Sequence, residues 1–219
     1  MKLEESYIDD LVSRVIEITE EYFQSVNHDV EFIVNHHISK RINNKNGKQF
    51  ISFQNYYFET LNNDKAYNKD FLRNFKKMYS LQGLLHIHID ELYNEPIIDL
   101  IRNEKLTELY SKMTKYKHYG SFFTKLVHTF NPENYCPIDN PIRDYFKLGH
   151  ESFFITLIVI SRAYKGWANN NRDFMNELRD AITDIFKKNE IDLKNNCISD
   201  MKILNLVFWS EAEYLKNMK

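Results

Sequence analysis

The chain has 219 residues, of which 43% are hydrophobic and 15% aromatic, and its formal net charge is −2 at pH 7. The hydrophobic share excludes intrinsic disorder, and the length suits one domain with a single core. The near-neutral charge excludes a protein that coats nucleic acid through bulk positive charge, although local basic patches can still contact phosphates.

Few turn residues and a helical spacing of apolar residues predict an all-α fold. Only five glycines and four prolines are present, whereas chains rich in hairpins need more. In chain order, apolar stripes predict helices around residues 6–23, 71–79, 97–109, 174–186 and 201–215. No long polar linker divides them, so residues 1–219 are expected to form a single-domain helical bundle.

Three segments are harder to assign from their residues. The run 153–160 is apolar throughout and could be a buried strand, but its continuation through 161–164 favours a central helix. Residues 85–89 alternate between leucine or isoleucine and histidine, which leaves one short strand pair open. A polar turn is expected at 43–48, before the aromatic segment 50–58.

Cysteine usage and the polar start of the chain suggest the compartment. Cys136 and Cys197 form no zinc-binding or disulfide pattern, which favours a reducing environment. No apolar stretch approaches the roughly 18 residues that span a bilayer, and the first residues carry no export signal. We therefore expect a cytoplasmic protein with no membrane partner and no cofactor.

The adjacent His36 and His37 are expected to face different directions on a helix and to be structural.

The segment 112–149 carries the functional signal. If residues 121–130 are helical, one face buries Phe122, Phe123, Leu126, Val127 and Phe130, and the other brings together Ser121, Thr124, Lys125 and His128. Asp139 precedes Pro141, which is typical of a helix start that keeps a carboxylate ionised. A short return loop could aim Asp139 at the Lys125 face, which gives a plausible catalytic pair.

These residues resemble the helix-hairpin-helix DNA glycosylase superfamily, and more closely its bacterial 8-oxoguanine DNA glycosylase-like proteins. The resemblance covers a serine, threonine, lysine and histidine helix, here Ser121–His128, and a turn with proline, isoleucine and aspartate, here Pro137–Asp139. It implies an all-α fold in which Lys125 is the nucleophile and Asp139 assists it. Residues 117–120 would occupy the hairpin that grips the DNA backbone.

The resemblance and the residue pattern together predict a DNA-binding site. Lys125 and Asp139 are the predicted catalytic residues. The predicted substrate-binding residues are Ser121, Thr124, His128, Tyr119, Tyr135 and Arg143. The predicted contacts to the DNA backbone are Lys115, Lys117, His118 and Gly120. The expected partner is DNA, bound with modest and salt-sensitive affinity.

Other functions remain open at this point. Gly120 is the only glycine of the candidate hairpin, which allows a nucleic-acid-binding module that lacks catalysis. An interaction domain with no nucleic-acid role would also fit the near-zero net charge. His86 and His88 could be metal ligands, but a third ligand would have to come from elsewhere.

Overall fold

The computed structural model describes residues 5–80, 92–113 and 120–218, and within these ranges every regular element is helical. The first half contains α1 (Glu5–Ser25), α2 (Val30–Val34), α3 (Lys40–Asn43), α4 (Gly47–Thr60), α5 (Lys69–Met78), α6 (Ile97–Arg102) and α7 (Leu106–Met113). The second half contains α8 (Gly120–Phe130), α9 (Asn140–Tyr145), α10 (Phe153–Asn170), α11 (Arg172–Lys188) and α12 (Asp200–Asn217). The all-α prediction is confirmed.

Polar side chains fix several helix starts at the residues that the chemistry favours. Ser152 begins α10 by accepting a hydrogen bond from the Ile155 amide, and Ser199 begins α12 by accepting one from Lys202. Such caps satisfy amide groups that have no partner within the helix. The cap at Ser152 also removes the strand alternative for residues 153–160.

The core is one continuous apolar cluster that draws side chains from nearly every helix. Its centre is α10, which packs along α1 on one side and against α8 and α12 on others. Because α10 is surrounded, apolar residues occupy most of its circumference, and this explains why its sequence shows no amphipathic period. Trp167 of α10 is fully buried against Phe23 of α1, with ring centroids 4.4 Å apart.

Some sequence expectations need correction. The polar turn at 43–48 ends early, because α4 already begins at Gly47 and takes in the aromatic segment. Leu215, expected on the apolar side of the last helix, is exposed because it lies in the final turns of α12, beyond the core. Residues 85–89 lie outside the described part of the chain. No helix in the described ranges is long and apolar enough to cross a membrane.

Gly120, the first residue of α8, is held closely against the start of α10. A Cβ atom at this position would lie 2.1 Å from Cδ2 of Phe153, well inside van der Waals contact. Gly120→Ala is therefore expected to lower the free energy of unfolding by about 1–3 kcal/mol, measured by urea denaturation. Gly166→Ala is the matched control, since its new Cβ would meet only Ile16 Cδ1, at 3.7 Å.

Gly166 lies inside α10, where alanine is a better helix former than glycine, so Gly166→Ala is expected to raise stability by about 0.5–1 kcal/mol. Equal effects from the two substitutions would contradict the close contact at Gly120. The contact matters for the site, because α8 carries Lys125 one turn further on.

Candidate active site

Lys125 lies in the middle of the buried helix α8, with 9% of its surface exposed. Its ammonium donates a hydrogen bond of 2.8 Å to Oγ of Ser121, one turn earlier, and lies 5.4 Å from the centre of the Tyr79 ring. Burial lowers the pKa of Lys125, and the negative charge of Asp139 partly opposes that shift. The lysine is thus closer to the neutral, nucleophilic amine than a lysine in water.

Asp139 caps the N-terminus of α9 and is held at both carboxylate oxygens. Oδ1 accepts a hydrogen bond from the Ile142 amide at 3.5 Å, and Oδ2 accepts one from the Trp209 indole at 2.8 Å. Burial raises the pKa of Asp139, whereas Lys125 and these hydrogen bonds act in the opposite direction. The carboxylate and the Lys125 amine therefore each favour the other's charged form.

The loop between α8 and α9 is fastened to α8 next to Lys125. Thr124 Oγ1 lies 2.9 Å from the Ile138 carbonyl and 3.0 Å from the Ile138 amide. Ser121 Oγ donates a further hydrogen bond of 3.2 Å to the same carbonyl. Because Ile138 immediately precedes Asp139, these bonds fix the carboxylate beside the Lys125 face of α8. Ser121 and Thr124 thus position the pair, and their role as substrate contacts stays a prediction.

His128 is fully buried and both of its ring nitrogens are bonded within the protein. Nδ1 donates to the Tyr135 carbonyl at 2.6 Å, since a carbonyl can only accept. Nε2 therefore accepts from the Tyr57 hydroxyl at 2.9 Å, and the two rings are stacked. Burial lowers the pKa of His128 to about 3, partly offset by the Tyr135 carbonyl, so the imidazole is neutral. The histidine joins α8 to α4 and to the α8–α9 loop.

The other residues predicted to bind the substrate or the DNA backbone either make contacts within the fold or fall outside the described residues. Arg143 donates to the carbonyls of Gly149 and Glu151 and lies 4.2 Å from the Phe153 ring, so it binds α9 to the start of α10. Tyr135 is half-buried and contributes its carbonyl to His128. Lys115, Lys117, His118 and Tyr119 lie outside the described residues, and so do His86 and His88.

Sequence reasoning missed five residues that complete the surroundings of the pair. Trp209 is half-buried, donates a hydrogen bond to Asp139, and has its ring centre 4.3 Å from the Arg41 guanidinium. The Lys202 ammonium lies 5.4 Å from the Phe53 ring, and Phe53 packs edge-on against Tyr79 with centroids 5.0 Å apart. The apolar spacing of α12 conceals Lys202 and Trp209, which are seven residues apart on one face.

These contacts, together with the electrostatic interactions of Lys202 with Arg41 and of Asp139 with Lys125, link seven side chains that we call the cation–aromatic ring. Its members in order are Lys125, Tyr79, Phe53, Lys202, Arg41, Trp209 and Asp139. The two lysines are buried, whereas the other five members are half-buried. The ring therefore lies at the boundary between the core and the solvent, with its amines on the inner side.

A second polar cluster lies between α2 and α12, on a π-helical turn at Asn35–Ser39. Contrary to the expectation that the two histidines diverge, potential ligand atoms of His36, His37 and Glu211 all lie within 4.8 Å of one another. His36 Nδ1 already contacts the Lys40 ammonium at 3.1 Å, and His37 Nε2 is hydrogen-bonded to the Tyr22 hydroxyl. A metal ion would have to compete with these contacts, so we assign no ion to the cluster.

The site can thus supply a partly neutralised amine, a fixed carboxylate and several aromatic faces. An amine of lowered pKa is a nucleophile for an electrophilic carbon, and a nearby carboxylate stabilises positive charge that develops there. Comparisons with protein-family models, curated proteins and solved structures find no significant match, so the choice of function depends on this geometry.

Proposed function

We propose that this protein is a DNA glycosylase-like enzyme with lyase activity, which excises a damaged or modified base through Lys125. The observation that carries the proposal is the pair itself, a buried lysine of lowered pKa beside a carboxylate at a helix start. Desolvated lysines are the form in which this residue acts as a nucleophile toward sugar and carbonyl carbons. The resemblance of residues 121–139 to the glycosylase superfamily supports the same assignment.

The reaction requires a nucleotide turned out of the duplex, because no side chain reaches the glycosidic carbon inside the stack. The Lys125 amine attacks C1′ of the deoxyribose and loses a proton, while the bond between C1′ and the base breaks and the base leaves with that electron pair and takes up a proton. The nitrogen lone pair then forms the C1′=N bond as the C1′–O4′ bond breaks and O4′ takes up a proton, so the opened sugar remains attached to Lys125 as a Schiff base. Loss of a proton from C2′ and cleavage of the C3′–O bond then eliminate the 3′ phosphate and cleave the strand.

Asp139 assists this scheme through its charge and its position. Its charge stabilises the positive charge that develops on the sugar as the base departs. It also lies on the side of α8 to which the Lys125 amine is directed, because Lys125 donates to Ser121, and Ser121 and Thr124 donate to the carbonyl of Ile138, which precedes Asp139. Trp209 keeps the carboxylate aligned through its indole N–H.

The test is reductive trapping followed by mapping of the modified residue. The protein is incubated with borohydride and duplex or single-stranded DNA that carries an abasic site, uracil, oxidised guanine or a modified cytosine. We expect a covalent adduct with at least one substrate, and mass spectrometry of the digested adduct should place the added sugar on Lys125. Sodium chloride at the same concentration replaces borohydride in the control, which should yield no adduct.

Two results would contradict this function. An adduct on a surface lysine or on the N-terminal amine would remove Lys125 as the nucleophile. Absence of any adduct, together with no base release from the whole panel, would exclude the glycosylase chemistry. If the protein then still binds DNA in a salt-dependent manner, a nucleic-acid-binding module without catalysis becomes the better description.

A further inference from the structure

Two cations of the cation–aromatic ring have no anionic partner among the described residues. Lys202 is 4% exposed, and its ammonium lies 4.1 Å from the centre of the Tyr57 ring and 5.4 Å from that of Phe53. Arg41 lies 4.5 Å from the Phe50 ring and 4.3 Å from the Trp209 ring. Within the described ranges, neither side chain forms a hydrogen bond or an ion pair.

This arrangement is unfavourable without a further partner. An ammonium has three N–H donors and a guanidinium has five, and buried charges in proteins are normally paired and hydrogen-bonded. Aromatic faces contribute roughly 0.5–2 kcal/mol each to a nearby cation but do not replace the lost hydrogen bonds to water. The donors of Lys202 and Arg41 therefore have no acceptor among the described side chains and backbone groups.

The nearby carboxylates do not fill this need. Asp139 is engaged by the Trp209 indole and the Ile142 amide, and its charge acts on Lys125. Burial lowers the pKa of Arg41 to about 10, and Glu213 opposes this shift only in part and forms no ion pair with the guanidinium. The ring thus contains three cationic side chains and one carboxylate, which leaves an excess of positive charge at the Lys202 and Arg41 side.

We propose that Lys202 and Arg41 form an anion-binding subsite that takes a phosphate group, either free or carried by a nucleotide. Arg41 offers a planar set of donors that suits two phosphate oxygens, and Lys202 supplies a point charge from the inner side. Phe53 and Trp209, over whose rings the two cations lie, are half-buried and flank the subsite, and aromatic side chains of this kind can stack on nucleobases. A nucleotide phosphate therefore fits the surroundings better than an isolated ion.

The subsite lies in the same cation–aromatic ring as Lys125 and Asp139. Only its use for a nucleotide of DNA rests on the proposed glycosylase function. Phosphate binding by Lys202 and Arg41 involves no covalent step and no attack by Lys125. Failure of adduct formation would leave the subsite intact, and loss of phosphate binding would leave the Lys125 nucleophile in place. The two proposals can thus fail separately.

Proton uptake provides a readout that is specific to Lys202. Burial lowers the pKa of Lys202 to about 7, with a further contribution from Arg41 and an opposing one from Cys136. Lys202 also faces Tyr57 of α4 and His128 of α8. The charge of Lys202 contributes to lowering the pKa of His128. A bound phosphate favours the ammonium, so binding at pH 8 should take up protons.

The experiment is calorimetric titration of the full chain with inorganic phosphate, deoxycytidine 5′-monophosphate and deoxycytidine, in low-salt buffers of different ionisation enthalpy. We expect saturable binding of the monophosphate and weaker binding of free phosphate, with proton uptake at pH 8. Lys202→Met and Arg41→Gln should each weaken monophosphate binding by about ten- to a hundredfold. Lys216→Met, an exposed lysine on the same helix, is the control and should change it less than twofold.

Each alternative result decides against the subsite. Absence of saturable binding by all three probes would overturn it, and so would equal affinities of wild type and Lys202→Met. Equal binding of deoxycytidine and its monophosphate would show recognition of the base and not of a phosphate. Since Lys202→Met could alter the fold, circular dichroism and thermal unfolding of each variant accompany the titrations. Arg41→Gln is an independent test of the subsite, because Arg41 is only half-buried and its substitution should disturb the core less than that of Lys202.

Discussion

Lys125→Met is expected to abolish the borohydride adduct and to slow strand cleavage at abasic sites by at least about a thousandfold. The substitution removes the amine but keeps a chain of similar length in a position that is only 9% exposed. Methionine fills such a site with little strain, so the thermal unfolding temperature should change by only a few degrees. Single-turnover cleavage assays with excess protein measure the rate apart from product release.

The matched control is Lys187→Met, because Lys187 is an exposed lysine on α11, outside the cation–aromatic ring. It should cleave at the wild-type rate. Retention of the adduct by Lys125→Met would show that another amine performs the reaction. Loss of cleavage accompanied by unfolding would be separated from loss of the nucleophile by the stability measurement on the same variant.

Asp139→Asn makes the same mechanism testable through its pH dependence. The variant loses the negative charge that, in the proposed mechanism, stabilises the sugar as the base departs, so cleavage should slow by about a hundredfold or more. The Asp139 charge raises the pKa of Lys125 against the effect of burial, and its removal should lower that pKa further. The rising limb of the rate against pH is therefore expected to move to lower pH in Asp139→Asn. An unchanged pH profile would mean that the charge of Asp139 does not influence the titration of Lys125 in the reaction.

The apolar face of α8 and the helix start at Asp139 were predictable from local sequence. Helical spacing places Phe122 and Leu126 inwards, and the residues Asp139 to Pro141 carry the composition of a helix N-terminus. The expected polar face was only half correct. Thr124, Lys125 and His128 do share a side of the helix, but that side is buried as well. Periodicity records which residues share a face and not what covers it.

The remaining parts of the site come from distant segments and had no local signal. Arg41 belongs to the short helix α3, just after the π-helical turn, where no regular period exists. Lys202 and Trp209 lie on a helix whose apolar residues dominate the pattern, so a lysine there resembles a solvated neighbour and a tryptophan resembles core. Arg41, Phe53, Tyr79, Lys202 and Trp209 come from α3, α4, the end of α5 and α12, so only the tertiary fold brings them together.

Lys202→Met is expected to stabilise the ligand-free protein by about 2–4 kcal/mol at pH 6. The wild-type fold must hold an ammonium in a position that is 4% exposed, without a carboxylate partner among the described residues. Methionine has a similar length, remains in contact with the Tyr57 and Phe53 rings, and carries no charge to desolvate. Urea denaturation compares the variant with wild type.

The size of this stabilisation should depend on pH in a definite direction. The pKa of Lys202 is lowered from its ordinary value to about 7 in the folded protein, so the unfolded chain binds more protons than the folded one between about pH 7 and pH 10. Wild-type stability gains from Lys202 as pH rises through this window, whereas below pH 7 the cost of the buried ammonium is fully present. The advantage of Lys202→Met should therefore be largest at pH 6 and should shrink by pH 9.

Lys216→Met provides the comparison on the same helix, since an exposed lysine should change stability by less than about 0.5 kcal/mol at either pH. A Lys202→Met variant less stable than wild type at pH 6 would mean that the ammonium has a partner within the fold, and the basis for an anion site would be lost. A more stable variant that no longer binds the nucleotide phosphate would mean that the protein retains an unfavourable buried charge in order to bind a ligand. Binding residues commonly keep such local instability, because a ligand supplies the missing interactions.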